Sequence, residues 1–453
     1  MKKSISMVVA LLSSVTILAQ EQVAKDTVKV PFEGMDQTWQ NGADRRTSPV
    51  LTSKYFTGSV MIDGNYTHSF NNPNDNTVVG STALARNNEM QISSANLGGD
   101  FTYGNARGRI MTQFGTRSTV IPRNDFSVYR GQYDMATMYR YLPEAYAGYH
   151  FNKWYGINVD AGMFMSYVGL NSYYQVENWE YQASFTSDNT PWFFNGLRVQ
   201  IYPTKKLKVE AWIINGWQSY GKFNSMPGFG GNITWCPNEA VKLLTNDYYG
   251  TDAAGLPNRV RFHSDNSLLV RYFNRPTAKG VSRMAFSSTC DIGFEKGDGV
   301  GGFKGTDDNP AQYFLSGMVY NRVWFNKNHI AWTVGGGYMT NPGRYLVLYP
   351  TGDASPLPNP NNPTQTIGTH PFDTSAGTQF KGWDCSTNLD FMPNQSITFR
   401  VEYVHREANV PYFAGSGGVT SPTGYTTTAL PADWKPDLVK MENRIIFAVL
   451  FRI

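Results

Sequence analysis

The chain has 453 residues, of which 41% are apolar, 14% aromatic and only 16% charged; the formal net charge is +4 and the mean hydropathy −0.38. So little charge beside so many rings excludes a disordered chain. The basic residues are not clustered as nucleic-acid binding requires, and the hydropathy excludes a bundle of membrane helices. The longest basic runs are the pairs Arg45-Arg46 and Lys205-Lys206, which read as solvated loop charge.

At the N-terminus, Lys2 and Lys3 precede an apolar stretch from Ile5 to Leu18, and Ala19 offers a small residue for cleavage. This is the layout of a secretory signal peptide over 1–19, too short to span a bilayer with ease. The mature chain is then expected to begin at Gln20 with a periplasmic arm, 20–54. Beyond it no apolar run approaches the ~18 residues of a membrane helix. Membrane β-strands are shorter, about 10 residues, and alternate in polarity.

That alternation runs from residue 55 to the C-terminus. In 396–406, Ile397, Phe399, Val401 and Tyr403 share one face, and Thr398, Arg400, Glu402 and Arg406 the other. Similar patterns place Leu197 and Val199 opposite Arg198 and Gln200, and Phe286, Cys290 and Ile292 opposite Ser287, Thr289 and Asp291. Trp383, Leu389 and Phe391 oppose Asp384, Ser386, Asn388 and Asp390, and Ile445, Phe447, Val449 and Phe451 line one face of the last segment. A period of two means a strand with its faces in different environments.

Sixteen such segments are predicted, at 57–70, 89–103, 104–117, 141–151, 154–165, 191–203, 206–216, 227–236, 239–248, 265–273, 281–294, 312–326, 329–340, 378–391, 395–406 and 440–453. Their connections alternate in length. Long ones are 71–88, 118–140, 166–190, 217–226, 249–264, 295–311, 341–377 and 407–438; short ones carry Pro and Asn, as in Pro237-Asn238 and Pro393-Asn394. A soluble sandwich or propeller has no reason to sort its loops by parity. The pattern predicts an all-β fold: a transmembrane antiparallel β-barrel of about 16 strands over 55–453, with short periplasmic turns and long external loops, in the outer membrane of a Gram-negative bacterium. Outer-membrane lipid is then one partner, and Trp192, Tyr202, Trp212, Trp235, Trp324 and Trp332 suit the aromatic girdles.

Sixteen strands leave room for an open channel. The pleat assigns a basic set to its wall: Arg107, Arg109, Arg198, Lys208, Arg271, Arg283, Arg322, Arg400 and Arg444. Asp63, Glu144, Asp160, Glu210, Asp291, Asp384, Asp390 and Glu402 join them. Charges on the lipid face would cost ~2–4 kcal/mol each near the midplane, so this face is expected to be wet.

The third long connection, 166–190, carries Glu177, Glu180 and Asp188 with no Lys or Arg, and the rings of Tyr167, Tyr173, Tyr174, Trp179, Tyr181 and Phe185. So aromatic a segment is poorly solvated outside. It is expected to fold inward and oppose its carboxylates to the wall arginines, producing a transverse field across a constriction. The expected pore-lining and constriction residues are Arg107, Arg109, Glu177, Trp179, Glu180, Arg198, Glu210, Arg271 and Arg400.

Signals for chemistry are weak. Cys236, Cys290 and Cys385 are far apart and read as strand residues, not metal ligands. Gly415-Ser416-Gly417 lies in a Gly/Ser/Thr-rich loop without the nucleophile-elbow pattern. His263 and Asp265 sit two apart in an expected loop, and Asp298, Asp307 and Asp308 miss the EF-hand spacing. No enzyme activity, cofactor or metal is expected.

The motifs AGMFMSYVGLNSY (161–173), VENW (176–179), NTPWFFNGLRVQIYPTKKLKVEAWIINGWQSYGKFN (189–224) and NDYYGTD…RFHSDNS (246–267) are long and specific. Over 157–273, and more loosely over most of the mature chain, the sequence resembles the OmpL-like putative β-barrel porin family of the type seen in Bacteroidota. The resemblance implies an outer-membrane barrel of porin type and carries no functional residues with it. The expected function is a passive channel for small hydrophilic solutes. A saccharide-preferring channel, motivated by the aromatics of 166–190, is an alternative. So is a non-transport adhesin or scaffold subunit, motivated by the loops 341–377 and 407–438. A homo-oligomer is a further expected partner; nucleic acid is not.

Overall fold

The computed structural model describes residues 29–122, 135–305, 310–348, 379–424 and 434–453, with the backbone of 358–359 and 362–366. The signal peptide, the start of the arm, Asp307 and Asp308 lie outside the described residues, as do parts of the loops at 118–140, 295–311, 341–377 and 407–438.

Sixteen long strands form the wall. They are β1 Phe56–Ser69, β2 Met90–Tyr103, β3 Ala106–Phe114, β4 Glu144–Phe151, β5 Ile157–Met165, β6 Phe193–Thr204, β7 Leu207–Ile214, β8 Gly228–Asn238, β9 Val241–Gly250, β10 Val260–Asn274, β11 Val281–Gly297, β12 Tyr313–Phe325, β13 Ile330–Asn341, β14 Phe380–Phe391, β15 Ile397–Ala408 and β16 Met441–Arg452. Each is antiparallel to the next, and a two-residue strand, Val300–Gly301, merely extends β11. The sheet closes where β1 meets β16, in register from Met61↔Arg452 to Ser69↔Arg444. Closure matters because hydrocarbon cannot satisfy a free strand edge.

The observed strands overlie all sixteen predicted segments. The largest discrepancy is at β10, which begins at Val260 and not at 265. His263 and Asp265 therefore belong to a strand, with both side chains buried on the inner face, and not to a loop. Loop signals in RFHSDNS misled because a lumen-facing strand alternates polar residues just as a turn collects them.

The faces follow the period. Ile62, Leu97, Ile110, Ile233, Val319, Leu389, Phe399, Val401, Phe447 and Val449 are exposed outward, as a lipid contact requires. Trp235 and Trp332 also point outward near the short-turn rim, with Phe101, Tyr103 and Tyr272, whereas Tyr249, Tyr338, Trp383 and Tyr403 ring the opposite rim. The other expected girdle residues do not face lipid. Trp192 is buried against Arg117 and Tyr173. Trp212 stacks on Tyr167, Trp324 meets Trp179 edge-on, and Tyr202 packs against Phe32. Their rings answer to the interior contents.

Those contents are the main departure from an open tube. Among the described residues, two loops and the arm extend well into the barrel. The third external loop, 166–190, is buried along most of its length. The first, 71–88, brings Val78, Val79, Ala83 and Leu84 to the interior. From the short-turn rim the arm, 29–53, crosses the mouth: Phe32 N–H bonds to Lys205 O (2.9 Å), the Trp39 indole to Glu239 O (2.9 Å), and Arg45 to Asn394 O and Ile397 O (2.9 and 2.6 Å). Arg45 is thus a structural contact, and Arg46 pairs with Asp44 (2.6 Å); neither is idle surface charge.

Candidate constriction and lumen wall

The third loop leaves β5 at Ser166 and rejoins the wall before β6. Its aromatic residues seat it on that side. Tyr167 stacks between Phe194 and Trp212, with centroids at 5.0 and 4.8 Å, and its hydroxyl donates to Asp247 O. Gly230 makes this possible, since a Cβ there would run into the Tyr167 ring.

The loop then crosses to β12–β16. Glu402 accepts hydrogen bonds from the backbone N–H groups of Tyr181 and Gln182 (2.6 and 2.7 Å). Asp384 accepts from the Ser184 hydroxyl and Phe185 N–H (2.9 and 2.8 Å). Asp188, in the short helix Phe185–Asp188, pairs with Arg406 at 3.1 Å, and Thr82 of the first loop donates to the same carboxylate. The Tyr181 hydroxyl reaches Asp63 (2.7 Å). At Gly382 the wall thins to admit the Phe185 ring, which a Cβ would meet at 2.9 Å. Wall carboxylates thus hold backbone donors of the loop, which a loop lacking Lys and Arg could not otherwise offer them.

Charge pairing is dense. Asp390 is shared by Arg322 (2.7 Å) and Arg400 (2.7 Å). Arg400 also donates to Asn178 O, and Arg322 to Trp179 O. Paired buried charge keeps the interior tolerable; an unpaired one would not be. Burial pushes the Glu180 carboxyl above its usual range, against the pull of the Asn171 amide and Arg400.

The expected constriction residues separate into two groups. Trp179, Glu180, Glu210, Arg271 and Arg400 are almost wholly buried. Trp179 donates its indole N–H to Trp39 O (3.0 Å), Glu180 bonds Asn171, and Glu210 takes Lys208 (2.9 Å) and Gln200 (2.6 Å). Arg271 pairs with Asp36 of the arm (2.9 Å) and with Glu239. These side chains brace; they do not line open water. Arg107, Arg109, Arg198 and Glu177 retain solvent exposure, with side chains 24, 14, 13 and 13% accessible. Arg107 and Arg198 both face Asp160 (3.4 and 2.7 Å). Arg109 bridges Asp100 and Glu144 (2.7 and 2.8 Å), and Tyr174 of the loop donates to the same Glu144 (2.7 Å). Glu177 pairs with Arg452, which also meets Asp44 of the arm (3.3 Å). The wetter part of the interior therefore runs along β2–β7 on the short-turn side, lined by Asp100, Arg107, Arg109, Arg198 and Lys208.

Sequence reasoning missed the arm's residues, Asp36, Trp39, Asp44 and Arg45, and the contribution of the first loop. The tryptophan of the arm and the apolar run Val78-Val79 inside a loop were the available signals. The model of the family described as putative beta-barrel porin-2, OmpL-like, matches residues 55–431. The chain belongs to that family. No curated protein matches it. Among solved structures it is similar to the outer membrane channel DcaP of Acinetobacter baumannii (TM-score 0.50, 10% identity, 90% of this chain and 100% of that one). A second is OmpT, an outer membrane protein of Vibrio cholerae, in its trimer form (TM-score 0.50, 8% identity, 88% and 99% covered). At such identities the likeness is one of fold, and it agrees with the family. The protein is an outer-membrane porin. Within this porin, the closed barrel supplies the channel wall, and among the described residues two loops and the arm occupy part of the lumen.

Proposed function

We propose that this porin passes small hydrophilic solutes by passive diffusion, without chemistry on them. The path is narrowed from outside by 166–190 and from the periplasmic side by 29–53. The observation that carries the reading is the asymmetry of the interior. The loop is bound through its backbone to Glu402 and Asp384 on one side, while Arg107, Arg109, Arg198 and Lys208 stay partly solvated on the other. A solute skirting the loop meets guanidinium groups on the wall and Glu177 on the loop, so it is sorted by size and dipole. The test is single-channel conductance of the purified porin in planar bilayers, with Arg107→Ala and Arg109→Ala beside the parent. Both variants should conduct and should lose preference for anions. A parent that inserts and never conducts would end this reading.

A further inference from the structure

The external side of the third loop holds a cavity of about 90 Å³ that the proposed path does not use. By the usual measure a water needs ~10–15 Å³ of such space, so the cavity holds several waters or one ring-sized solute. Its floor is Asp188, Asn189 and Thr190. Trp217, Gln218 and Phe223 form one side, and Tyr345 to Leu348 the other, with Asp252 and Arg261 between.

The charged groups here are paired. Arg261 donates to Glu295 (2.9 and 2.6 Å) and lies 3.7 Å from Asp252. Arg259 takes the other oxygen of Glu295 at 2.6 Å. Asp252 is further saturated by Trp217 N–H (2.9 Å) and the Tyr248 hydroxyl (2.8 Å), and Asp188 by Arg406, Gln182 and Thr82. Each charged side chain of the lining thus has a partner of opposite charge. The guanidinium of Arg261 is sandwiched by Trp217 and Tyr345, at 5.6 and 5.4 Å from their centroids, which fixes both rings. Gln218 uses its carbonyl on Trp192 N–H (2.9 Å), which leaves its amide donors for the cavity. The lining therefore combines fixed rings and aliphatic side chains with neutral amide and hydroxyl groups, and its charged groups are each paired.

That is the surface a neutral polyhydroxylated ring requires: apolar C–H faces against aromatic and aliphatic walls, hydroxyls against neutral donors and acceptors. We infer that this cavity is a monosaccharide-sized binding site at the external entrance, where a neutral sugar pauses before the constriction. The inference rests on the porin reading for its role in transport, but binding itself can be measured without conduction.

Glucose is titrated into the full-length porin in detergent and followed by saturation-transfer NMR. The same protein is tested in bilayers for glucose-induced current noise. Saturable transfer to glucose is expected. It should weaken about tenfold in Trp217→Ala, the size of one lost ring contact. Gln218→Met, which keeps the side-chain length and leaves Trp217 in place, should weaken it by a similar factor. Glucose transfer that does not saturate, or that survives both variants unchanged, overturns the inference. So does acetate or phosphate competing for the site. A porin that binds glucose saturably and never conducts would sink the diffusion reading and leave the site standing.

Discussion

The third loop and the N-terminal arm fill the same lumen from opposite ends and are held in different ways. The loop is tied to the wall at both ends, carries net negative charge, and hands its backbone N–H groups to buried carboxylates on β14 and β15. The arm is tied to the wall at β1, carries as many acidic as basic residues over 29–53, and is anchored at the rim. Its Asp36 and Asp44 side chains keep 31% of their exposure. Ordering a free-ended segment costs ~1–2 kcal/mol of backbone entropy per residue, part of which a doubly tethered loop has already lost. Two inserts of similar length can thus be a fixed constriction and a detachable one.

The sharpest test of this difference is removal. Deleting 171–186 should raise conductance about twofold or more, because it empties the centre of a lumen wide enough for a channel. Deleting 29–53 should raise it by less and leave the folded barrel heat-modifiable on gels. If arm removal opens the pore more than loop removal, the arm is the dominant constriction and the comparison inverts. Next in size is Asp390→Asn. It strips two buried guanidinium groups of their shared partner, for a loss of about 3–5 kcal/mol. The unfolding midpoint of the barrel in denaturant should fall accordingly; an unchanged midpoint would mean that these charges are relieved by water.

The barrel was legible because its two environments write a period of two into every strand, and the loop lengths write a second period. Arg198 and Arg400 fell on the inner face and Val199 and Val401 on the outer for that reason alone. What alternation cannot say is whether an inner residue meets water or protein. Arg400 is inner and yet sealed beneath Asn178, so its removal should cost stability, whereas alternation alone treats it as wet. The contents of the lumen are set by long-range contacts between aperiodic segments, as in Trp39 with Trp179. Composition showed that 166–190 prefers an interior. It was silent on the arm, whose anchors are single, widely spaced residues.

A smaller effect separates the anchors themselves. Asp36 meets Arg271 and Arg283 at 2.9 and 2.8 Å while partly exposed, so Asp36→Asn should cost at most about 1 kcal/mol. In 1 M salt the screening length is ~3 Å, which should loosen the arm in the same way. The loop, pinned by buried groups, should not respond. Amide hydrogen exchange reads both: faster exchange in 37–47 with no change in 181–188. Equal loosening of both segments would show that they form one cooperative unit.

The smallest effect is titration of the arm. Burial alone would raise the Asp36 carboxyl, but the Thr38 hydroxyl, Arg283, the Thr38 N–H and Arg271 outweigh it and hold it below its ordinary 3.8. Asp44 is likewise held below 3.8, with burial outweighed by Arg46 and Arg452. A carboxylate depressed in the docked state stabilises docking above its undocked pKa, and that contribution disappears as the pH falls through the docked value. The arm should therefore stay in place from neutral pH down to about 4 and loosen below 3.8. The reporters are the Thr38 and Arg46 amides, which donate to Asp36 and Asp44 (3.0 Å each). The Ser172 amide, held within the loop by the uncharged Asn178 at 2.8 Å, has no titrating partner and serves as the internal reference. After correction for intrinsic exchange, protection at Thr38 and Arg46 should drop below pH 3.8 before that at Ser172. Loss of all three together would mean that acid unseats the loop along with the arm, and that the two inserts are not independently held.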